Sequence, residues 1–270
     1  MMKVKSDIHV PHPEVWELLV SISDGQLDYA LYTPTADNSL ALGTVTLHDM
    51  SLQALEEAVF DTPALLNEYR RVRIVVRSRH FLLLPEDAGD VDCVMSVRQV
   101  FPEDDGDARV CPVASNGVKI AFLMPRGLQA FLGRTFNYPL LYHPMASLCD
   151  YFKGLDKGGN RSRMFLHVNG TNLDLAIYRG GRLLCANSYP FRHVKDAAFF
   201  ALSAWKANGL DQLADELQVA GAGEQCAELV PLLRGYVKNV VPAAFPLAAM
   251  RLGRNAMQAP LELILLALCE

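Results

Sequence analysis

The residues of this chain that could do chemistry are concentrated in two short, similar stretches. One is Ile22-Ser23-Asp24-Gly25-Gln26-Leu27-Asp28-Tyr29-Ala30-Leu31-Tyr32, and the other is Val168-Asn169-Gly170-Thr171-Asn172-Leu173-Asp174-Leu175-Ala176-Ile177-Tyr178. Each has a glycine turn followed by Leu-Asp, an apolar residue, Ala, an apolar residue and Tyr. Glycine lets consecutive backbone amides approach an anion closely. Gly25, and Gly170 followed by Thr171, let backbone amides come that close. Gly221 and Gly223 stand in a further glycine-rich run, Val219-Ala220-Gly221-Ala222-Gly223. A plainer reading stands beside this one: Asp-Gly and Asn-Gly are hairpin turn signals, and the later glycines suit a strand-to-helix turn. Asp28 and Asp174, at matching places in the two hairpins, are expected to face solvent as alternating strand residues, with lining of a cleft as the alternative.

Other chemically suggestive groups carry less. Ser203-Ala204-Trp205-Lys206 has the SxxK spacing, but it sits mid-helix and no Lys-Thr-Gly accompanies it. Cys149 near His143 invites a nucleophile reading, yet Leu148 and Tyr151 predict a buried thiol. His80 and His167 read as core or hydrogen-bonded residues. His9 and His12 flank a proline in a terminal arm, and Phe101 to Asp107 is an acidic loop without the distal Glu of a calcium loop. Gln212, Asp215 and Glu216 read as a solvated face. No catalytic residue and no metal ligand is assigned.

The elements that must position the glycine turns repeat. Residues 14–47 read as three antiparallel strands, Ser51 caps a helix carrying Leu52, Leu55 and Val59 on one face, and Val72 to Val76 forms a buried strand. Pro63 is expected to restart a helix toward Tyr69. Residues 79–136 break the plan and read as an inserted subdomain, with a hairpin at Asn116-Gly117. Tyr138 to His143 is a strand and Met145 to Phe152 a helix. Gly154 to Asn160 is the best linker. Three strands, a helix, a strand, a helix, a short strand and a closing helix follow, Asn208-Gly209 ending the first of those helices. The expected organisation is a loose arm over 1–12, a first half over 13–157 and a second half over 162–270.

Composition narrows the function classes. The chain has 270 residues, 51% hydrophobic and 20% charged, enough for a sizeable core. A net charge of -5 argues against nucleic acid, which needs a clustered basic surface. The nearest cluster, Arg70, Arg71, Arg73, Arg77 and Arg79, reads as a solvated sheet edge. Six cysteines lack CxxC spacing and predict reduced thiols rather than a disulfide or zinc framework. No apolar segment follows the first lysines, and Leu261 to Leu268 falls well short of the ~20 residues that cross a bilayer. A soluble cytoplasmic protein without a membrane span is expected.

The element order, with glycine turns opening each half, resembles the actin-like ATPase superfamily, also called the ribonuclease-H-like or sugar kinase, Hsp70 and actin fold. More narrowly, Val75 to Pro85, Leu141-Tyr142-His143, the hairpin from His167 to Ser188 and the ending Leu265 to Glu270 make the chain similar to an uncharacterised family of Bacteroides-type bacterial proteins with this fold. The resemblance spans nearly the whole chain. It implies an α/β architecture of two duplicated βββαβα-type halves with a cleft between them and an insertion in the first. It also implies a nucleotide, ATP or ADP, with Asp24, Gly25, Asn169, Gly170 and Thr171 at two phosphate loops of the form Asp-x-Gly and with Gly221 and Gly223 at a glycine-rich adenosine motif. Here Ser23 and Val168 stand where the two carboxylates belong. Mg²⁺ needs hard oxygen ligands, so the resemblance implies a degenerate, pseudo-ATPase member serving as a binding or assembly module for an unidentified protein partner. The alternative is an active Mg²⁺-dependent ATPase or small-molecule kinase in which other carboxylates, such as Asp24 and Asp174, substitute. A nucleic-acid processing role is the weakest reading.

Overall fold

The computed structural model describes residues 10–23, 25–221 and 223–268. The strands are β1 Glu17–Ser23, β2 Gln26–Tyr32, β3 Ala41–Thr46, β4 Arg71–Val76, β5 Phe81–Pro85, β6 Asp107–Val113, β7 Val118–Met124, β8 Leu140–Tyr142, β9 Ser162–Asn169, β10 Asn172–Arg179, β11 Arg182–Pro190, β12 Glu216–Gly221 and β13 Asn239–Pro242. The helices are α1 Leu52–Phe60, α2 Asp90–Val100, α3 Leu128–Thr135, α4 Pro144–Leu155, α5 Val194–Ala207, α6 Glu224–Arg234 and α7 Leu261–Leu268.

Two compact units emerge. The first runs to Pro112, resumes over Val118–Ser147 and closes with the chain from Pro246 onward; the second holds Val113–Gly117 and Leu148–Phe245. The main sheet of the first unit has the order β3-β2-β1-β4-β8, and that of the second has β11-β10-β9-β12-β13. In both, the first strand pairs antiparallel with the second and parallel with the strand that follows the helix. A third sheet, β5-β7-β6, is covered by α2 through Cys93 and Val97 packed on Ala121 and Leu123.

The first unit departs from the sequence reading in instructive ways. Pro13–Val15 forms a 3-10 turn, and the strand begins only at Glu17. Instead of alternating, β1 is buried on both faces, because β2 and β4 flank it and α7 packs on it. Ser51 caps α1 as expected, accepting from the Ala54 amide at 3.2 Å. The helix does not resume after Pro63: Pro63–Leu65 is a single 3-10 turn.

The arginine cluster is not a solvated edge, because β4 lies inside the sheet between β1 and β8. Arg73 and Arg77 are buried. Arg73 Nη2 donates to Glu17 Oε2 at 2.5 Å and to the Tyr32 hydroxyl at 2.7 Å. Arg77 pairs with Glu262, whose other carboxylate oxygen accepts from the Ser21 hydroxyl at 3.2 Å. Arg73 also donates to the Leu266 carbonyl, so buried polar contacts fasten α7 to the centre of the sheet. Arg70, Arg71 and Arg79 remain exposed. Among the described residues, no helix is long and apolar enough to cross a membrane.

The second unit has one continuous core. Met164, Leu166 and Val168 of β9, Leu173 and Leu175 of β10, Leu217 and Val219 of β12, Ala201 and Trp205 of α5, and Leu229 and Leu233 of α6 pack together. Asp215, expected on a solvated face, is buried; it accepts from the Ser162 amide at 2.7 Å and from the Asp211 amide at 2.8 Å. Those bonds satisfy two amides at the entrance to β9 and the approach to β12.

Candidate functional site

The second unit brings together Asn169, Gly170, Thr171, Gly221 and Gly223. β9 ends at Asn169, Gly170 turns with φ of 54°, and β10 begins beside it with Asn172 paired to Asn169. β12 runs parallel to β9, and its last residue, Gly221, pairs with Val168. Gly221 has φ of 121°, and a Cβ there would stand 2.5 Å from the Val168 carbonyl oxygen. Only glycine permits that approach. Gly223, at φ of 92°, then leads into α6. Finally, the Phe191 amide donates to the Thr171 carbonyl at 2.8 Å, which ties the lead-in of α5 to the same turn. Gly170 and Thr171 are exposed. Gly25, at φ of 76°, makes the β1–β2 turn of the first unit. Asp24 lies outside the described residues.

A groove of about 840 Å³ opens between α5 and α6, lined by His193, Val194, Lys195, Glu224, Glu228 and Leu232, among others. Sequence reasoning missed these residues. The available signal was Gly223 immediately before Glu224, an acid placed to meet a helix N-terminus. The Asp196 carboxylate accepts from the His193 amide at 3.0 Å and from the Arg192 amide at 3.3 Å. The His193 amide holds Asp196 below the usual carboxylate range. Both helix starts therefore already carry an acid, which disfavours a phosphate inside the groove. Carboxylates beside apolar Val194 and Leu232 suit a flat apolar body with hydroxyl donors instead.

Neither β1 nor β9 ends on a carboxylate. Ser23 is neutral, and the Val168 side chain is packed in the core. Asp28 and Asp174 do not face solvent as expected. Each lies on a strand buried along nearly its whole length, and each is itself buried. Asp28 accepts from Thr44 Oγ1 at 2.6 Å and from Gln26 Nε2 at 2.7 Å, and burial raises its pKa. Asp174 accepts from Ser188 Oγ at 2.6 Å and faces His167 Nδ1 at 3.1 Å. Thr44, Gln26, Ser188 and His167 belong to the same sheets as the aspartates they meet.

The remaining suggestive residues are structural. His143 is fully buried, its Nε2 2.9 Å from the Ser78 carbonyl while its Nδ1 accepts from the Met145 amide. That pairing calls for the Nε2–H tautomer. Burial pushes the Cys149 thiol far above its ordinary range, so no thiolate forms there. Ser203 and Lys206 lie within α5, away from its start. The described cysteines are all free thiols.

Comparisons with known proteins agree with this topology. A protein from Bacteroides thetaiotaomicron VPI-5482, with an actin-like ATPase fold and unknown function, superposes with a TM-score of 0.78 at 22% identity, over 96% of this chain and 97% of that one. A chain of the PilM–PilN type IV pilus biogenesis complex gives a TM-score of 0.52 at 14% identity, over 96% of this chain and 100% of its own. These likenesses establish an actin-like ATPase fold. The curated proteins contain no match. Residues 6–240 match the family described as protein of unknown function (DUF3822), and the chain belongs to that family.

Proposed function

We propose that this protein is a non-catalytic actin-like module that binds a protein partner and retains a nucleotide-type pocket in its second unit. The observation that carries the reading is Val168. At the strand end where metal-dependent phosphoryl transfer needs an oxygen ligand, the chain places an aliphatic side chain and seals it into the core. Backbone recognition survives that loss, because the glycines at 170, 221 and 223 keep the turn and the start of α6 open. The base-and-sugar part of a nucleotide fits the groove between α5 and α6. Its phosphates reach the Asn169–Thr171 amides. The PilM–PilN complex supports a partner-binding use of the fold. A cytoplasmic location, where nucleotides are abundant, belongs to the same reading.

Calorimetric titration with ATP and ADP, with and without Mg²⁺, tests it. The expected result is binding that does not depend on Mg²⁺, with no phosphate released. Magnesium-dependent hydrolysis at an ordinary enzyme rate would overturn the reading in favour of an ATPase or kinase with unusual carboxylates.

A further inference from the structure

The first unit contains a second cavity, of about 680 Å³, whose wall carries an excess of positive charge. Three arginines line it: Arg98 from the last turn of α2, Arg109 from β6 and Arg134 from the last turn of α3. Arg98 Nη2 donates to the Gly106 carbonyl at 3.1 Å, which leaves most of its fork free. The Nε of Arg109 is buried without a hydrogen-bond partner. No described residue forms an ion pair with Arg109 or Arg134. The one carboxylate in the wall, Asp107, is already engaged by the Gly127 amide at 2.9 Å and the Gln129 amide at 3.3 Å. Leaving a guanidinium N–H desolvated and unpaired is costly, so an anion seated against Arg109 would offset that cost.

The rim is also specialised. Asn137 and Tyr138 both adopt positive φ, 51° and 59°. That conformation is uncommon for a tyrosine and is paid for elsewhere in the structure. The Tyr138 amide donates to the Gly133 carbonyl at 2.9 Å, and the ring lies over Gly133. The phenol ring, 86% exposed, thus forms one wall of a cavity whose other walls carry guanidinium groups.

We infer that this cavity binds a small phosphorylated molecule with a flat or apolar body, the phosphate held by Arg98, Arg109 and Arg134 and the body laid against Tyr138. The planar guanidinium fork matches phosphate oxygens in pairs, and the volume is that of an ordinary small-molecule pocket. The site lies in the first unit and does not depend on nucleotide binding in the second.

Phenyl phosphate titrated into the full chain by calorimetry is the test. Saturable binding that weakens with added salt is expected. Arg134→Gln, at an exposed position that folding does not need, should weaken it about tenfold or more, and Arg109→Gln at least as much. Tyr138→Ala should weaken phenyl phosphate while leaving inorganic phosphate unchanged. Silence up to millimolar phenyl phosphate, undiminished binding in Arg134→Gln, or binding only of a glutamate-rich peptide would each overturn the assignment.

Discussion

Replacing Glu17 tests the reasoning about the arginine cluster most directly. Glu17 Oε2 accepts from Arg73 Nη2 at 2.5 Å and from the Tyr32 hydroxyl at 2.9 Å. The side chains of Arg73 and Glu17 are only 3% and 5% exposed. Glu17→Ala removes the carboxylate that faces the buried Arg73 guanidinium, while the neutral Tyr32 hydroxyl and Leu266 carbonyl stay beside it. Breaking a buried pair in this way costs about 3–5 kcal/mol. Glu17→Gln keeps the shape and loses the charge, so it should recover part of that loss. Replacing both partners, Glu17→Met with Arg73→Met, removes the desolvation cost together with the pair and should restore most of the stability. Urea denaturation of the parent, Glu17→Met, Arg73→Met and the double variant, read as a double-mutant cycle, measures the coupling. A Glu17→Ala variant within about 0.5 kcal/mol of the parent would refute the claim that Arg73 is an internal structural charge, since that is the range of ordinary surface substitutions. A double variant as unstable as the single one would refute the electrostatic explanation and leave lost packing in its place.

Two further outcomes follow from the same geometry. Gly221→Ala should cost more than about 2 kcal/mol, because its φ of 121° is nearly glycine-only and its Cβ would meet the Val168 carbonyl. Gly170→Ala, at φ of 54° with open space around it, should cost only about 1–2 kcal/mol, and equal costs measured by denaturation would contradict the close approach of β12 to β9. Burial pushes Tyr32 and Tyr151 up to about 12 from an ordinary value of 10.0. The folded protein therefore holds those protons more tightly than the unfolded chain. Their stabilisation is complete below pH 10 and is lost as pH rises toward about 12. Tyrosinate absorbance that completes its rise near pH 10 in the folded protein would refute this.

The repeated pattern of strand, glycine turn and Leu-Asp was enough to place the two hairpins β1–β2 and β9–β10, because a hairpin is encoded locally by its turn residues and the hydrophobic runs on either side. That residue 168 supplies no side-chain ligand was equally legible, since a valine side chain has no donor atom wherever it lies. The fate of the polar residues inside the strands was decided only by tertiary structure. Asp28, Asp174, Arg73, Arg77 and Asp215 all looked solvent-facing in a linear reading, and all are buried with partners. In most of those cases the partner lies on another strand or helix, and Glu262 stands far along the chain from the Arg77 it neutralises. Whether a strand is central or at an edge depends on which distant segment covers it, and local periodicity carries no information about that. The two cavities escaped the sequence for the same reason. Each is lined from elements separated along the chain, so its charge exists only once the fold has set those elements side by side.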